Sequence, residues 1–333
     1  MTDRRLKWGL AGSGKISKDF CIALRSLPSR HEVIAVAARS GESAKRFAEE
    51  QGLPKSYGSY FELFDDPDIE AVYIGLVNSA HCSVAVQALE AGKHVICEKP
   101  FALNEKEVRQ MIAAAKKAKR FLMEGYWSAF FPVYKELKTA IEAGEIGEVR
   151  YITGNFGVNS LPARALDVEL GGGTLTCIGY YLPAFTNFIF GKPPTKVTAK
   201  AVLNDAGSDI SGHVTLDYGG NQIASLVWTN QANLTNDALI VGTKGCLRLP
   251  RFFWCPFELI NSHGHLKEIP LPESIQEGVH ANYSGMQYEA DCARECILAG
   301  KLECCQHSLE DSLNLVKVID EIRRQIKLKF PQD

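Results

Sequence analysis

The sequence predicts two domains, a parallel α/β domain over residues 1–125 and an α+β domain with a large, mostly antiparallel open sheet over residues 126–333. Three observations carry this prediction. A chain of 333 residues exceeds the size at which a single hydrophobic core stops growing, about 250 to 300 residues. The first 125 residues alternate short apolar runs with helix-period segments, the pattern of βαβ units. From Thr195 to Leu249 the chain instead runs through alternating segments joined by glycine-containing turns, the pattern of antiparallel strands.

In chain order, strands are predicted at Leu6–Ala11, Val33–Ala38, Ala71–Gly75, His94–Cys97 and Phe121–Glu124. Each is a mainly apolar run of strand length, as expected where helices cover both faces of a parallel sheet. Gly52 and Gly92 stand where a helix ends in a left-handed residue, and Asn104 suits the cap of the helix that ends near Ala118. After about Phe130 one helix, Pro132–Ala143, precedes the second sheet, with strands Val197–Leu203, His213–Tyr218, Ile223–Thr229 and Ala238–Val241. Two helices, Gly285–Leu298 and Leu309–Ile326, close the pattern. An open sheet of this kind needs cover from helices or from a partner subunit.

Composition narrows the function. Hydrophobic residues make up 46 % and charged residues 23 %, which argues against disorder. A formal net charge of -2 offers no basic footprint for nucleic acid, so a small-molecule partner is expected. Neither a signal-peptide pattern nor an apolar run of about 18 residues is found, so a cytoplasmic location without membrane contact is expected. The ten cysteines are scattered, with no Cys-x-x-Cys pair. They are expected to be free thiols, and no metal site is predicted.

Gly12-Ser13-Gly14-Lys15-Ile16-Ser17 follows the first strand and opens the first helix, matching the G-x-G-x-x-G/A fingerprint of an α/β Rossmann domain with serine in the third position. Gly12 permits the tight turn, Gly14 lets the backbone approach a pyrophosphate, and the helix N-terminus favours that anion. The second strand ends Val36-Ala37-Ala38-Arg39-Ser40, with no carboxylate before Glu42. An NAD site usually places an acid there to bind the ribose diol, whereas Arg39 suits a 2′-phosphate, so NADP is the predicted cofactor.

Cys97-Glu98-Lys99-Pro100 closes the fourth predicted strand at its carboxyl end, where open α/β sheets place their ligands. The Lys99 ammonium suits a nicotinamide ribose and can lower the pKa of a neighbouring acid. Together with the Gly12–Ser17 turn, Asn78-Ser79-Ala80-His81, Glu98-Lys99-Pro100 and Gly171-Gly172-Gly173 resemble the Gfo/Idh/MocA family of oxidoreductases over nearly the whole chain. Tyr57–Leu63, Phe121–Glu124, Trp127, Phe130–Pro132, Gly242–Gly245 and Phe330–Asp333 resemble an animal branch of it that oxidises trans-dihydrodiols and D-xylose with NADP, as homodimers.

That resemblance implies a proton-transferring tyrosine on the helix after the glycine-rich loop, and Tyr181 fills the position. A phenol with a pKa near 10 needs a cation to act as a base at neutral pH, which Lys99 can supply. The substrate hydroxyl would give its proton to Tyr181 while its carbon passes a hydride to the nicotinamide. Tyr180 competes for the role, because adjacent helical residues point about 100° apart and only one can face the site. The resemblance also places Asn78, His81 and Glu98 near the cofactor and makes Arg150 a polar contact. Tyr73 is a candidate to line the cofactor side, and Trp127, Phe156 and Trp254 a wall for an aromatic diol, although a core role is as consistent with large aromatics.

The sequence departs from the family pattern at Cys177, four residues before Tyr181 where an aspartate is usual, and at Trp127-Ser128-Ala129, where an arginine often stands. Val77 replaces a frequent proline. Two alternatives stay open beside a dihydrodiol or sugar dehydrogenase: a family oxidoreductase with another sugar or carbonyl substrate, and a non-catalytic NADP-binding sensor.

Overall fold

The computed structural model describes residues 4–333 and divides the chain into two compact units. The first combines residues up to Ala102 with Lys106–Phe130 and Leu271–Ser312; the second combines Leu103–Glu105, Phe131–Pro270 and Leu313–Asp333. One boundary near residue 125 therefore describes the order along the chain but not compactness, because Leu271–Ser312 returns to the first unit.

The first unit holds a six-stranded, wholly parallel sheet: β1 (Leu6–Ala11), β2 (His31–Ala37), β3 (Lys55–Tyr57), β4 (Ala71–Ile74), β5 (His94–Glu98) and β6 (Leu122–Gly125), in the order β3-β2-β1-β4-β5-β6. This is the Rossmann order, in which the chain reverses direction across the sheet at β1 and β4 and leaves a crevice at their carboxyl ends. The connecting helices include α1 (Lys15–Arg25), α2 (Gly41–Gln51), α3 (Tyr60–Asp65), α4 (His81–Glu90) and α5 (Glu105–Ala118). Both faces of the sheet are covered: Leu6, Leu10, Val36, Ile74 and Ile96 are fully buried. Burial of each large aliphatic side chain contributes about 1.5–3 kcal/mol.

Two further helices precede the segment that comes back to this unit: α6 (Pro132–Glu142) and α7 (Tyr181–Phe190). The returning segment carries α8 (Met286–Leu298), which packs on α1. A buried relay ties it to the sheet. Trp8 Nε1 donates to His31 Nδ1 at 3.1 Å, and His31 Nε2 lies 2.9 Å from the Asp291 carboxylate. Desolvation lowers the His31 pKa, so the neutral ring accepts from Trp8 and donates to Asp291.

The second unit is built on an eight-stranded sheet containing β7 (Val149–Gly157), β8 (Lys196–Leu203), β9 (Asp209–Gly219), β10 (Gln222–Thr229), β11 (Ala238–Gly242), β12 (Cys246–Leu249), β13 (Glu258–Ile260) and β14 (Leu266–Glu268). Every pairing is antiparallel except β7 with β10. Helix α7 packs against β7 and β10 on one face. On the other face Tyr151, Ile223, Val227 and Val202 are exposed. The edge strand β8 is blunted by α9 (Leu309–Ile326): Ala199 N donates to Gln325 Oε1 at 2.8 Å, and Gln325 Nε2 donates to Val197 O at 2.9 Å.

Candidate active site

In the first unit the chemistry begins at the turn between β1 and α1. Gly12 has φ +113°, and a Cβ there would stand 2.5 Å from the Gly75 carbonyl oxygen, so only glycine lets this turn approach β4. A Cβ on Gly75 would in turn meet Ser17 Oγ at 2.5 Å, which accounts for the small residue in the third fingerprint position. Gly14 precedes α1 in extended conformation, and no side chain caps the helix. The first amides of α1 are therefore left without a side-chain cap, as an anion-binding turn requires. Arg39 stands exposed two residues beyond β2, next to Ser40, whose hydroxyl accepts from Ser43 N to cap α2. The arrangement fits a dinucleotide.

At the carboxyl end of β5, Glu98 is buried; Tyr73 Oη donates to it at 2.6 Å and Lys99 N donates at 3.2 Å. Desolvation raises its pKa against the pull of those bonds. Tyr73 is itself fully buried, its ring stacked on Phe20 at 3.8 Å, so it bears on the Lys99 turn through Glu98. His81 is also buried. Its Nδ1 lies 2.8 Å from Pro100 O and its Nε2 3.4 Å from Leu76 O, and burial lowers its pKa; a neutral ring has a single N–H, which the shorter distance gives to Pro100 O, tying the ring to the turn after β5. Lys99 and Asn78 are half-buried at these same turns, and Trp127 is buried in a short 3-10 turn after β6.

In the second unit Phe156, Tyr181 and Trp254 converge. The Phe156 and Trp254 rings stack at 3.7 Å, and Tyr181 lies 6.0 Å from Phe156 and 6.3 Å from Trp254. Tyr180 and Tyr181 are both buried, and it is the Tyr181 ring that lies against Phe156 and Trp254. The helix after the glycine-rich loop winds first as a π-turn over Leu175–Gly179 before α7 begins. That looser winding changes the helical face shared by Cys177 and Tyr181 relative to an ordinary i, i+4 pair. Arg150 is not among the aromatics. It pairs with Glu148 and donates to Gly220 O, six residues or about 20 Å along β7 from Phe156.

Several residues that organise these sites gave no sequence signal. Asp209 is buried beneath the glycine-rich loop: Trp228 Nε1 donates to it at 2.7 Å and Leu175 N at 2.8 Å, while its other oxygen has no hydrogen-bond partner among the described residues. Burial raises its pKa to about 6. A Cβ at Gly173 would stand 2.5 Å from Asp209 Oδ1, so this loop position requires glycine. In the first unit, Asp19 on α1 accepts from Val279 N, His280 N and His280 Nδ1 at 2.6–2.9 Å. Glu289 on α8 is buried with neither oxygen hydrogen-bonded among the described residues. Desolvation, then the charge of Glu98, holds its pKa far above the usual carboxylate range.

A Rossmann sheet with a phosphate-type turn and a strand-end lysine, followed by a mostly antiparallel sheet bearing an aromatic-flanked tyrosine, defines an NAD(P)-dependent oxidoreductase. Residues 6–126 match the description "Oxidoreductase family, NAD-binding Rossmann fold" and residues 134–248 match "GFO/IDH/MocA C-terminal domain". The chain belongs to the Gfo/Idh/MocA family of oxidoreductases. It is 42 % identical over 329 residues to a trans-1,2-dihydrobenzene-1,2-diol dehydrogenase of Xenopus laevis, covering 98 % of this chain and 99 % of the relative. The Homo sapiens protein of that name is 39 % identical over 331 residues, with 98 % and 99 % covered. Among solved structures, an aldose-aldose oxidoreductase from Caulobacter crescentus complexed with glycerol superposes with TM-score 0.82 at 26 % identity, over 97 % of this chain and 98 % of that one. A 3-ketoreductase from Actinomadura kijaniata, in complex with NADP, gives TM-score 0.81 at 25 % identity, with 97 % and 98 % covered. No helix among the described residues is long and apolar enough to cross a membrane.

Proposed function

We propose that the protein is an NADP-dependent dehydrogenase that oxidises a secondary alcohol of a trans-dihydrodiol or of a D-xylose-like sugar. The observation that carries this reading is the Phe156–Trp254 stack beside Tyr181, a flat apolar wall next to a proton-transfer group. The relatives named for dihydrodiol oxidation support the substrate class. Bound NADP would supply the hydride acceptor, held by the Gly12–Ile16 turn, Arg39, Ser40 and the turns carrying Asn78, His81, Glu98 and Lys99.

Tyr181 takes the proton of the substrate hydroxyl and returns it in the reverse direction, and Lys99 acts at the cofactor turn that closes β5. Trp127 and Cys177 are assigned to substrate contacts; Arg150, held by Glu148 and Gly220 O away from the aromatic group, is not. The working assembly is a cytoplasmic homodimer, paired through the sheet face that exposes Tyr151, Ile223, Val227 and Val202.

Turnover tests the reading: reduced cofactor is followed by absorbance with benzene trans-dihydrodiol and with D-xylose, NADP and NAD in parallel. Oxidation of either substrate with NADP favoured, and its loss in Tyr181→Phe with NADP binding intact, is expected. Binding of NADP without turnover on any diol or sugar would overturn it in favour of a sensor.

A further inference from the structure

Three cysteines that are far from a motif in the sequence meet in the first unit. Cys292 and Cys296 lie one turn apart on α8 and so share a face. Gly300, at φ +70°, ends that helix region with Lys301 N bonded to Cys296 O at 2.9 Å, and the chain then folds back to bring Cys304 to the same place. The three sulfurs all lie within 4.8 Å of one another, with Cys292 Sγ 2.9 Å from Cys304 Sγ. Cys304 is fully buried, Cys296 nearly so, and Cys292 is half-buried, leaving one side of the group open to solvent. Gln306 N donates to Cys304 Sγ at 3.4 Å, the kind of backbone bond that supports negative charge on a ligating thiolate.

We propose that Cys292, Cys296 and Cys304 form a binding site for a thiophilic d10 metal cation, zinc being the probe of choice. Zinc–thiolate bonds of about 2.3 Å put neighbouring sulfurs about 3.8 Å apart, so the Cys292–Cys304 pair has to open by about 1 Å, well within the adjustment of a half-buried side chain. Binding displaces thiol protons to solvent, one for each thiolate formed, and the half-open side admits water as a fourth ligand. A Cys292–Cys304 disulfide is the competing use of the same atoms. It would need the two sulfurs about 2.05 Å apart and would leave Cys296 a buried thiol without a function, whereas a metal uses all three. None of the three cysteines belongs to the turns assigned to the dinucleotide, and the proposal does not depend on the proposed activity.

The test uses full-length protein, reduced and freed of metal. Native mass spectrometry with zinc should show one tightly held ion, and cadmium should produce a thiolate charge-transfer band in the ultraviolet. Cys304→Ser and the half-buried Cys292→Ser should each weaken zinc binding at least about a hundredfold, while Cys305→Ser, next in sequence and exposed, should leave it unchanged. Should a buried replacement fail to fold, the Cys292→Ser and Cys305→Ser pair still decides. No retained zinc and no cadmium band in the reduced wild type would overturn the proposal. So would equal binding by Cys292→Ser and wild type, or conversion of the wild type to a Cys292–Cys304 disulfide in air with zinc present at saturating concentration.

Discussion

Replacing Asp209 with asparagine removes a charge that sits under the loop leading to Tyr181. The wild-type carboxyl titrates near pH 6 because burial disfavours its ionised form, against about 3.9 in an unfolded chain. Its folded pKa is raised, so the folded state binds the proton more tightly; stability from this group is greatest below the unfolded pKa and is lost as pH rises through the folded one. With those two values the ratio of binding polynomials gives a loss of about 1.4 kcal/mol between about pH 5 and about pH 7.5. The asparagine side chain does not titrate. The hydrogen bonds from Trp228 and Leu175 differ between the two proteins by a constant, so only the slope of the stability difference with pH reports the charge. Urea unfolding followed by circular dichroism at several pH values should therefore show Asp209→Asn gaining on the wild type by about 1.4 kcal/mol across that window. Parallel curves, with the difference constant to within about 0.3 kcal/mol, would refute the argument that burial governs this carboxyl.

Glu289→Gln, which replaces a buried carboxyl with no hydrogen-bond partner among the described residues by a group that does not titrate, should gain stability relative to the wild type as pH rises from acid to neutral in urea unfolding; the raised pKa of the wild-type group fixes that sign. Gly12→Ala should lose about 2 kcal/mol or more, because its Cβ meets the Gly75 carbonyl and its φ is positive, as read from the thermal midpoint. Gly14→Ala, whose Cβ would come no nearer than 3.9 Å to Gly75 O, should keep its thermal midpoint yet bind the dinucleotide more weakly in a fluorescence titration. Arg39→Ala should weaken NADP binding about tenfold to a hundredfold and leave NAD binding nearly unchanged, as measured by calorimetry with both cofactors.

The parallel sheet was legible because its strands are mainly apolar runs separated by clear helix ends. Leu6–Ala11 and Leu309–Ile326 have the bounds expected from periodicity, and Gly52 takes the left-handed conformation that its position implied. Strand β3 escaped because Lys55-Ser56-Tyr57 is only three residues long and half polar. Strand β7 escaped because Gly154 interrupts its apolar alternation; a Cβ there would press on Leu182 of α7 at 3.1 Å, so packing explains a glycine that reads locally as a break. The aromatic group around Tyr181 could be named from resemblance but not assembled, since Phe156, Tyr181 and Trp254 are separated by 25 and 73 residues. Asp19, Asp209 and Glu289 gave no signal at all, because their surroundings are assembled from parts far along the chain and no spacing rule connects them. The cysteine trio shares that cause: Cys304 reaches α8 only once the Gly300 turn has formed.

The return of Leu271–Ser312 to the first unit bears on how the molecule is made. The nucleotide-binding sheet leaves the ribosome early, but α8, the partner of His31, and the backbone amides that satisfy Asp19 are synthesised only after roughly 150 more residues, a delay of about 8 to 30 seconds at ordinary rates of translation. Throughout that interval the face of α1 that α8 will cover is open to solvent and to other nascent chains. A fragment stopped after Phe130 is thus an unfinished unit, and ribosome-bound chains of increasing length should gain protease resistance in this region only when the α8 segment has emerged.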